Sequence, residues 1–292
     1  MAKFSPTEAV FAGFRFARER PAAILVWSAF LMVVLAVVSI AMFDLGGDSM
    51  TSLVIATQGE KPDPQQLMKL MQEVAPATMF ASLLMIVFGA VLSTAVLRVK
   101  LNPGPQAWAG LRLGGDELRM LGAMALVVAV VIVLELLIGT IAGLVASFGV
   151  PPVVILIPGL VLILAVQVRL SLVGVISQVE HRVDLLRSVR LTHRPFWPLL
   201  GAYVLLLAIT LVILFLLTIV FAALMGAATL ATGGGVNQLA LMLSGKFSEM
   251  NPLLLVVYVA SNLAQVWLAV VFLTVWLGIG VETYRTVSKD PV

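Results

Sequence analysis

The sequence predicts an all-α polytopic membrane helix bundle: six transmembrane helices in three hairpins, preceded by an N-terminal interfacial amphipathic helix. Three observations predict it. Six long apolar stretches fill most of the 292 residues. Composition is 61% hydrophobic and 11% charged, with a mean hydropathy of +1.11, whereas soluble domains run at roughly 25% charged. The basic residues, finally, gather in the gaps on one side of the stretches.

The chain opens on residues 1–21, read as a cytoplasmic interfacial helix. Ser5-Pro6-Thr7-Glu8 is a capping box with proline at the first helical position. Phe4, Val10, Phe11, Phe14 and Ala17 recur near helical spacing, with Arg15, Arg18 and Arg20 on the cationic side and Pro21 ending the run. Such a helix lies among headgroups, aromatics inward and arginines on phosphates.

Residues 22–292 read as one six-span domain. About 20 apolar residues cross the ~30 Å hydrocarbon layer, which places spans at 22–43, 77–97, 118–148, 152–176, 197–225 and 253–281. The first is too long for a signal-peptide core and has about twenty residues before it, so it is expected to be retained. Of the 18 Lys and Arg residues, 15 lie on one side: in the termini, in the connectors 99–117 and 177–196, and, as Arg98, Arg119 and Arg169, at the ends of spans near that side; only Lys61, Lys69 and Lys246 lie opposite. The positive-inside rule then places both termini in the cytoplasm. Asp63-Pro64 is expected to cap a short separate outer helix whose Leu67, Leu70, Met71 and Val74 share a face. Val183–Thr192 reads as a second basic amphipathic segment, before Pro195-Phe196-Trp197-Pro198 opens the fifth span.

Each hairpin begins with an apolar-Arg-apolar core: Phe14-Arg15-Phe16, Leu111-Arg112-Leu113 and Val189-Arg190-Leu191. Each ends its second helix on an arginine: Arg98, Arg169 and Arg285. The outer segments Gln66–Met71 and Gln238–Leu243 are also alike. Two origins fit: duplication of a hairpin, or arginine collecting at every cytoplasmic boundary.

Glu135 is the one ionisable side chain well inside a span, and such groups are functional candidates because each costs at least ~2.5 kcal/mol at a helix centre. It stands roughly 25 Å above Leu118, and Gln265 roughly 24 Å above Val281, with Asn262 a turn higher. A Glu135 bond to Gln265 or Asn262 is expected if the third and sixth helices touch. Three roles fit Glu135: fastening two helices, coupling to a proton or substrate, or snorkelling to outer water. Arg169 lies near the inner boundary and either snorkels to phosphate or joins a lipid-headgroup pocket with Arg98, Arg112 and Arg285; Arg15 and Arg190 extend that basic rim. Gly139 and Gly143 form a GxxxG pair expected to pack inside the bundle. Pro158-Gly159 is expected to kink the fourth span.

Cysteine is absent, and the two histidines, His181 and His193, flank a basic segment. Disulfides and thiolate chemistry are excluded. No phosphate-binding loop, dinucleotide fingerprint, HExxH or GxSxG occurs. No enzymatic activity, metal, cofactor or nucleic-acid partner is implied.

The stretch Val168-Arg169-Leu170-Ser171, Glu180, Leu186-Arg187-Ser188-Val189-Arg190-Leu191-Thr192 and Pro195-Phe196-Trp197-Pro198-Leu199-Leu200, with Phe4-Ser5 and Phe14 before the first span, resembles the YciC-like proteins and the membrane domain attached to some glycerophosphoryl diester phosphodiesterases. The resemblance implies a six-span bacterial membrane fold. The phosphodiesterase catalytic domain is not in this chain, so none of its residues carry over. Two functions fit the whole pattern. One is a non-enzymatic protein organising anionic lipids, a protein partner or its own copies through the basic rim. The other is a transporter or lipid-handling conduit with a polar site around Glu135.

Overall fold

In the computed structural model the described residues are 5–58, 64–102, 104, 107–232 and 251–288. They form an all-α helical bundle with no strand among them. The helices are α1 (Pro6–Glu19), α2 (Pro21–Gln58), α3 (Pro64–Leu101), α4 (Gly115–Ser147), α5 (Val153–Leu170), α6 (Val173–Val179), α7 (Leu185–Leu191), α8 (Phe196–Thr232) and α9 (Pro252–Val287). Six helical segments are long and apolar enough to cross a membrane. Helices suit that solvent because they satisfy every backbone polar group internally.

The helices outrun the apolar stretches that announce them. α2 and α3 are 38 residues each, roughly 57 Å, nearly twice the hydrocarbon thickness. The separate outer helix expected at Pro64 does not exist as such: Pro64 begins α3, which runs unbroken through Pro76 to Leu101. Asp63, its expected cap, and the 238–243 segment lie outside the described residues. The fourth span departs the other way. The chain leaves the helix at Ser171-Leu172, separating α5 from α6. Pro158 sits inside α5 without ending it.

The chain divides into two compact units. The first comprises residues 1–23, 89–208 and 271–292; the second, 24–88 and 209–270. Within the first, Leu97, Met120, Leu172, Ile176 and Tyr284 form a buried cluster drawn from α3, α4, α6 and α9. α4 meets α5 closely at Gly159, where an added Cβ would lie 2.5 Å from Ile138 Cγ2. The Gly139–Gly143 pair does not make that approach. Both residues are exposed, with nothing within 4 Å of a built Cβ. Small residues permit close packing only on a face that meets a neighbour, and here that face carries Gly159.

Helix α1 forms as predicted, Ser5 Oγ accepting from the Glu8 amide at 3.5 Å. Its inner face packs on protein. Ala9 and Val10 are buried, Gly13 lies against Val275 of α9, and Phe14 meets Phe272 edge-on at 6.1 Å. Phe11, expected on the apolar face, is exposed.

In the second unit Phe30 and Phe88 meet edge to face at 6.0 Å, Ser49 Oγ donates to Glu73 at 2.8 Å, and Ala228 packs on Leu254.

Candidate functional site

The arginine-rich end of the first unit is an ion-pair network rather than a free basic surface. α4 begins at Gly115, so Asp116 and Glu117 occupy its first turn, where the helix dipole favours negative charge. Arg98, in the last turn of α3, reaches them. Its Nη2 donates to Glu117 Oε1 at 2.6 Å and to Asp116 Oδ2 at 3.4 Å, and its Nη1 donates to the Gly110 carbonyl. Arg112 Nη2 joins Asp116 Oδ2 at 3.4 Å, and Arg119 pairs with Asp116 Oδ1. Arg119 Nη2 also lies 3.1 Å from His181 Nδ1, and Gln178 donates to the Asp116 carbonyl at 3.1 Å.

A second hub is Glu180. It accepts from Tyr284 Oη at 2.8 Å, pairs with Arg187 Nε at 2.5 Å and with Arg182 at 3.1 Å. Asp184 caps α7 by accepting from the Arg187 amide at 2.8 Å. Ser188 Oγ and Thr192 Oγ1, one helical turn apart, both donate to the Arg169 carbonyl, at 2.7 and 3.3 Å. That carbonyl is free to accept because α5 stops at Leu170. The Arg169 guanidinium stacks 4.7 Å over the Phe196 ring. The Arg-Ser-x-x-Leu-Thr and Phe-Trp elements of the sequence thus assemble around the end of α5.

The predicted headgroup pocket of Arg98, Arg112, Arg169 and Arg285 is therefore corrected in part. Arg98 and Arg112 are held by carboxylates, and Arg169 is half-buried on Phe196. Arg15, Arg190 and Arg285 are exposed and form no ion pair among the described residues. The sequence reading missed Asp116, Glu117 and Tyr284, and named Glu180 only within the family resemblance without a role. The signal was present in the interleaving of acids among the arginines of 112–119 and 180–190.

The intramembrane candidates belong to different units. Asn262 Nδ2 donates to the Tyr258 carbonyl at 2.9 Å, and Gln265 Nε2 to Ser261 Oγ at 3.0 Å, both within α9 and both in the second unit. Gln265 also lines a cavity of about 230 Å³ with Thr218 and Ser261. Glu135 belongs to the first unit and forms no hydrogen bond or ion pair among the described residues. It lines a larger cavity of about 540 Å³. The walls come from α3, α4, the α5–α6 break and α9, and are apolar apart from Glu135, Gln167, Ser93 and Ser171.

The break in the fourth span lies in the cavity wall. With helix interrupted at Ser171-Leu172, Gly174 faces α4 across nothing larger than the Met120 thioether, whose Cε would lie 3.0 Å from a built Cβ. From Met120 to Glu135 the cavity follows α4 for about 22 Å.

Six helical segments long and apolar enough to cross a membrane are those of a multi-pass membrane protein. No family model, curated protein or solved structure matches the chain.

Proposed function

We propose that this is a non-enzymatic integral membrane protein that binds a membrane amphiphile, seated in the bacterial inner membrane with both termini cytoplasmic. The observation that carries the proposal is the cavity of about 540 Å³. Ligand sites occupy roughly 300–1,000 Å³ and combine predominantly apolar walls with a few convergent polar groups. This one has apolar side chains along its length and Glu135 and Gln167 as its larger polar groups. The exposed Arg15, Arg190 and Arg285 remain available to anionic headgroups. A partner protein or a second copy of the chain is compatible with this arrangement. The resemblance to YciC-like proteins supports fold and location and implies no activity.

Filling the cavity tests the reading. Val131 lines it without belonging to the buried clusters. Val131→Trp is expected to leave the melting temperature in detergent within about 3 °C while lowering the amphiphile retained through purification several-fold. Equal retention in both proteins would end the proposal. The elongation of the cavity along α4 also favours a conduit as the second reading; release of a preloaded amphiphile from reconstituted vesicles, faster with protein than without, would separate conduit from holder.

Orientation has a clean test because the chain has no cysteine. Ser147→Cys, at the end of α4, is expected to react with an impermeant maleimide in intact spheroplasts. Ser288→Cys, just past α9, is expected to react only after permeabilisation. The reverse pattern would invert the topology.

A further inference from the structure

The charge balance of this cavity points to one class of ligand, and we propose that it takes a lipophilic cation: an apolar chain or body carrying an amine or quaternary ammonium nitrogen. The inference rests on the amphiphile-binding reading and adds the sign of the ligand. Met124, Val128, Val131, Leu170 and Leu273 supply apolar wall, and no Lys, Arg or His is among the lining residues. Glu135 is the single ionisable group there, and no described residue pairs with it. A carboxylate facing an apolar volume is costly unless it is paired and hydrogen-bonded. The protein supplies no cation, so a positively charged guest is the complement that lowers the cost. An anionic amphiphile would bring a second negative charge toward Glu135 and find no basic side chain in the lining to receive it.

The polar groups are also spaced for an elongated guest. Glu135 marks one end of the roughly 22 Å run along α4, and Gly174 lies beside Met120 at the other. Gln167 lies about a turn before Ser171 on α5. Its amide can accept from an ammonium N–H or donate to a hydroxyl. A nitrogen at Glu135 with an alkyl chain directed toward Ser171 satisfies the carboxylate and leaves the chain against apolar wall.

The test is equilibrium binding to the full chain in nanodiscs of digalactosyldiacylglycerol, an uncharged lipid without nitrogen, corrected for partition into empty discs. The probes are radiolabelled dodecyltrimethylammonium, 1-dodecanol and dodecyl sulfate, which share a chain and differ in charge. The cation is expected to bind saturably and at least about tenfold more tightly than the sulfate. Glu135→Gln is expected to abolish that preference while leaving dodecanol unchanged, and Val131→Trp to weaken cation and alcohol alike. Phosphatidylethanolamine as competitor distinguishes a lipid headgroup amine, which would displace the probe, from a free lipophilic amine, which leaves it bound; either result keeps the cationic nitrogen. Saturable binding that ignores charge, or that survives Glu135→Gln intact in a protein of normal melting temperature, would overturn the cation assignment alone. If none of the probes binds saturably to any of the proteins, the amphiphile cavity itself is overturned.

Discussion

Arg98→Met is expected to destabilise the protein by about 3–5 kcal/mol, the cost of removing one partner from a buried ion pair. The Arg98 and Glu117 side chains are 9% and 6% exposed and meet at 2.6 Å. Without the guanidinium, Glu117 keeps a buried carboxylate without a counter-charge, and its second oxygen already has no hydrogen-bond partner. The Gly110 carbonyl loses its donor as well. Other pairs of the network should matter far less. Arg112 is 64% exposed, and pairs at that exposure contribute about 0–1 kcal/mol. Arg112→Met is therefore the internal control. A double variant, Arg98→Met with Glu117→Leu, should recover most of the loss, because an apolar replacement of a buried pair is often neutral or better. Thermal unfolding in one detergent checks all three. An Arg98→Met protein that melts within a degree of the parent would show that the pair does not hold α3 to α4.

That network marks where sequence reasoning stops. The positive-inside argument counts Lys and Arg because they decide orientation, and acids contribute little to it. The count cannot report whether an arginine remains free. Asp116, Glu117 and Glu180 take Arg98, Arg112, Arg119 and Arg187 out of the available set, and nothing in hydropathy says so. The number and type of the long helices were legible, since hydrocarbon demands long apolar rods. Their ends were not. α2 continues fifteen residues past Phe43 to Gln58, because a helix satisfies its own backbone whether lipid or water surrounds it. The break at Ser171-Leu172 lies in an apolar run with no proline to announce it.

The candidate site was legible by half for a related reason. Glu135 stood out as a lone carboxylate in a span. The space beside it is a property of packing that no residue type encodes. Gly139 and Gly143 failed as a packing signal because apolar residues surround α4 on all sides. In such a helix, sequence does not distinguish the face that meets protein from the face that meets lipid. Gly159 carries the contact instead, opposite the branched Ile138.

Gly13 makes a similar demand with less room to relax, so substitution there is expected to release α1 from α9. A Cβ on Gly13 would fall 2.8 Å from Val275 Cα and 2.9 Å from its Cγ1. The first of these is backbone, which cannot rotate away. Overpacking costs typically about 1–3 kcal/mol, and Gly13→Leu should exceed Gly13→Ala. In an exposed helix the alanine change would stabilise by up to about 1 kcal/mol, so the sign itself reports docking. Gly278 supplies the comparison. Its built Cβ meets the flexible end of Lys100 at 2.7 Å and Gly13 Cα at an ordinary 3.6 Å, so Gly278→Ala should be close to neutral. Trypsin reads the difference, since Arg15 and Arg18 lie on α1 and are cut only when that helix leaves its seat. Faster cleavage after those residues in Gly13→Leu, and parental cleavage in Gly278→Ala, are the expected results. Unchanged cleavage in Gly13→Leu would mean that the Gly13–Val275 contact does not hold α1 on α9.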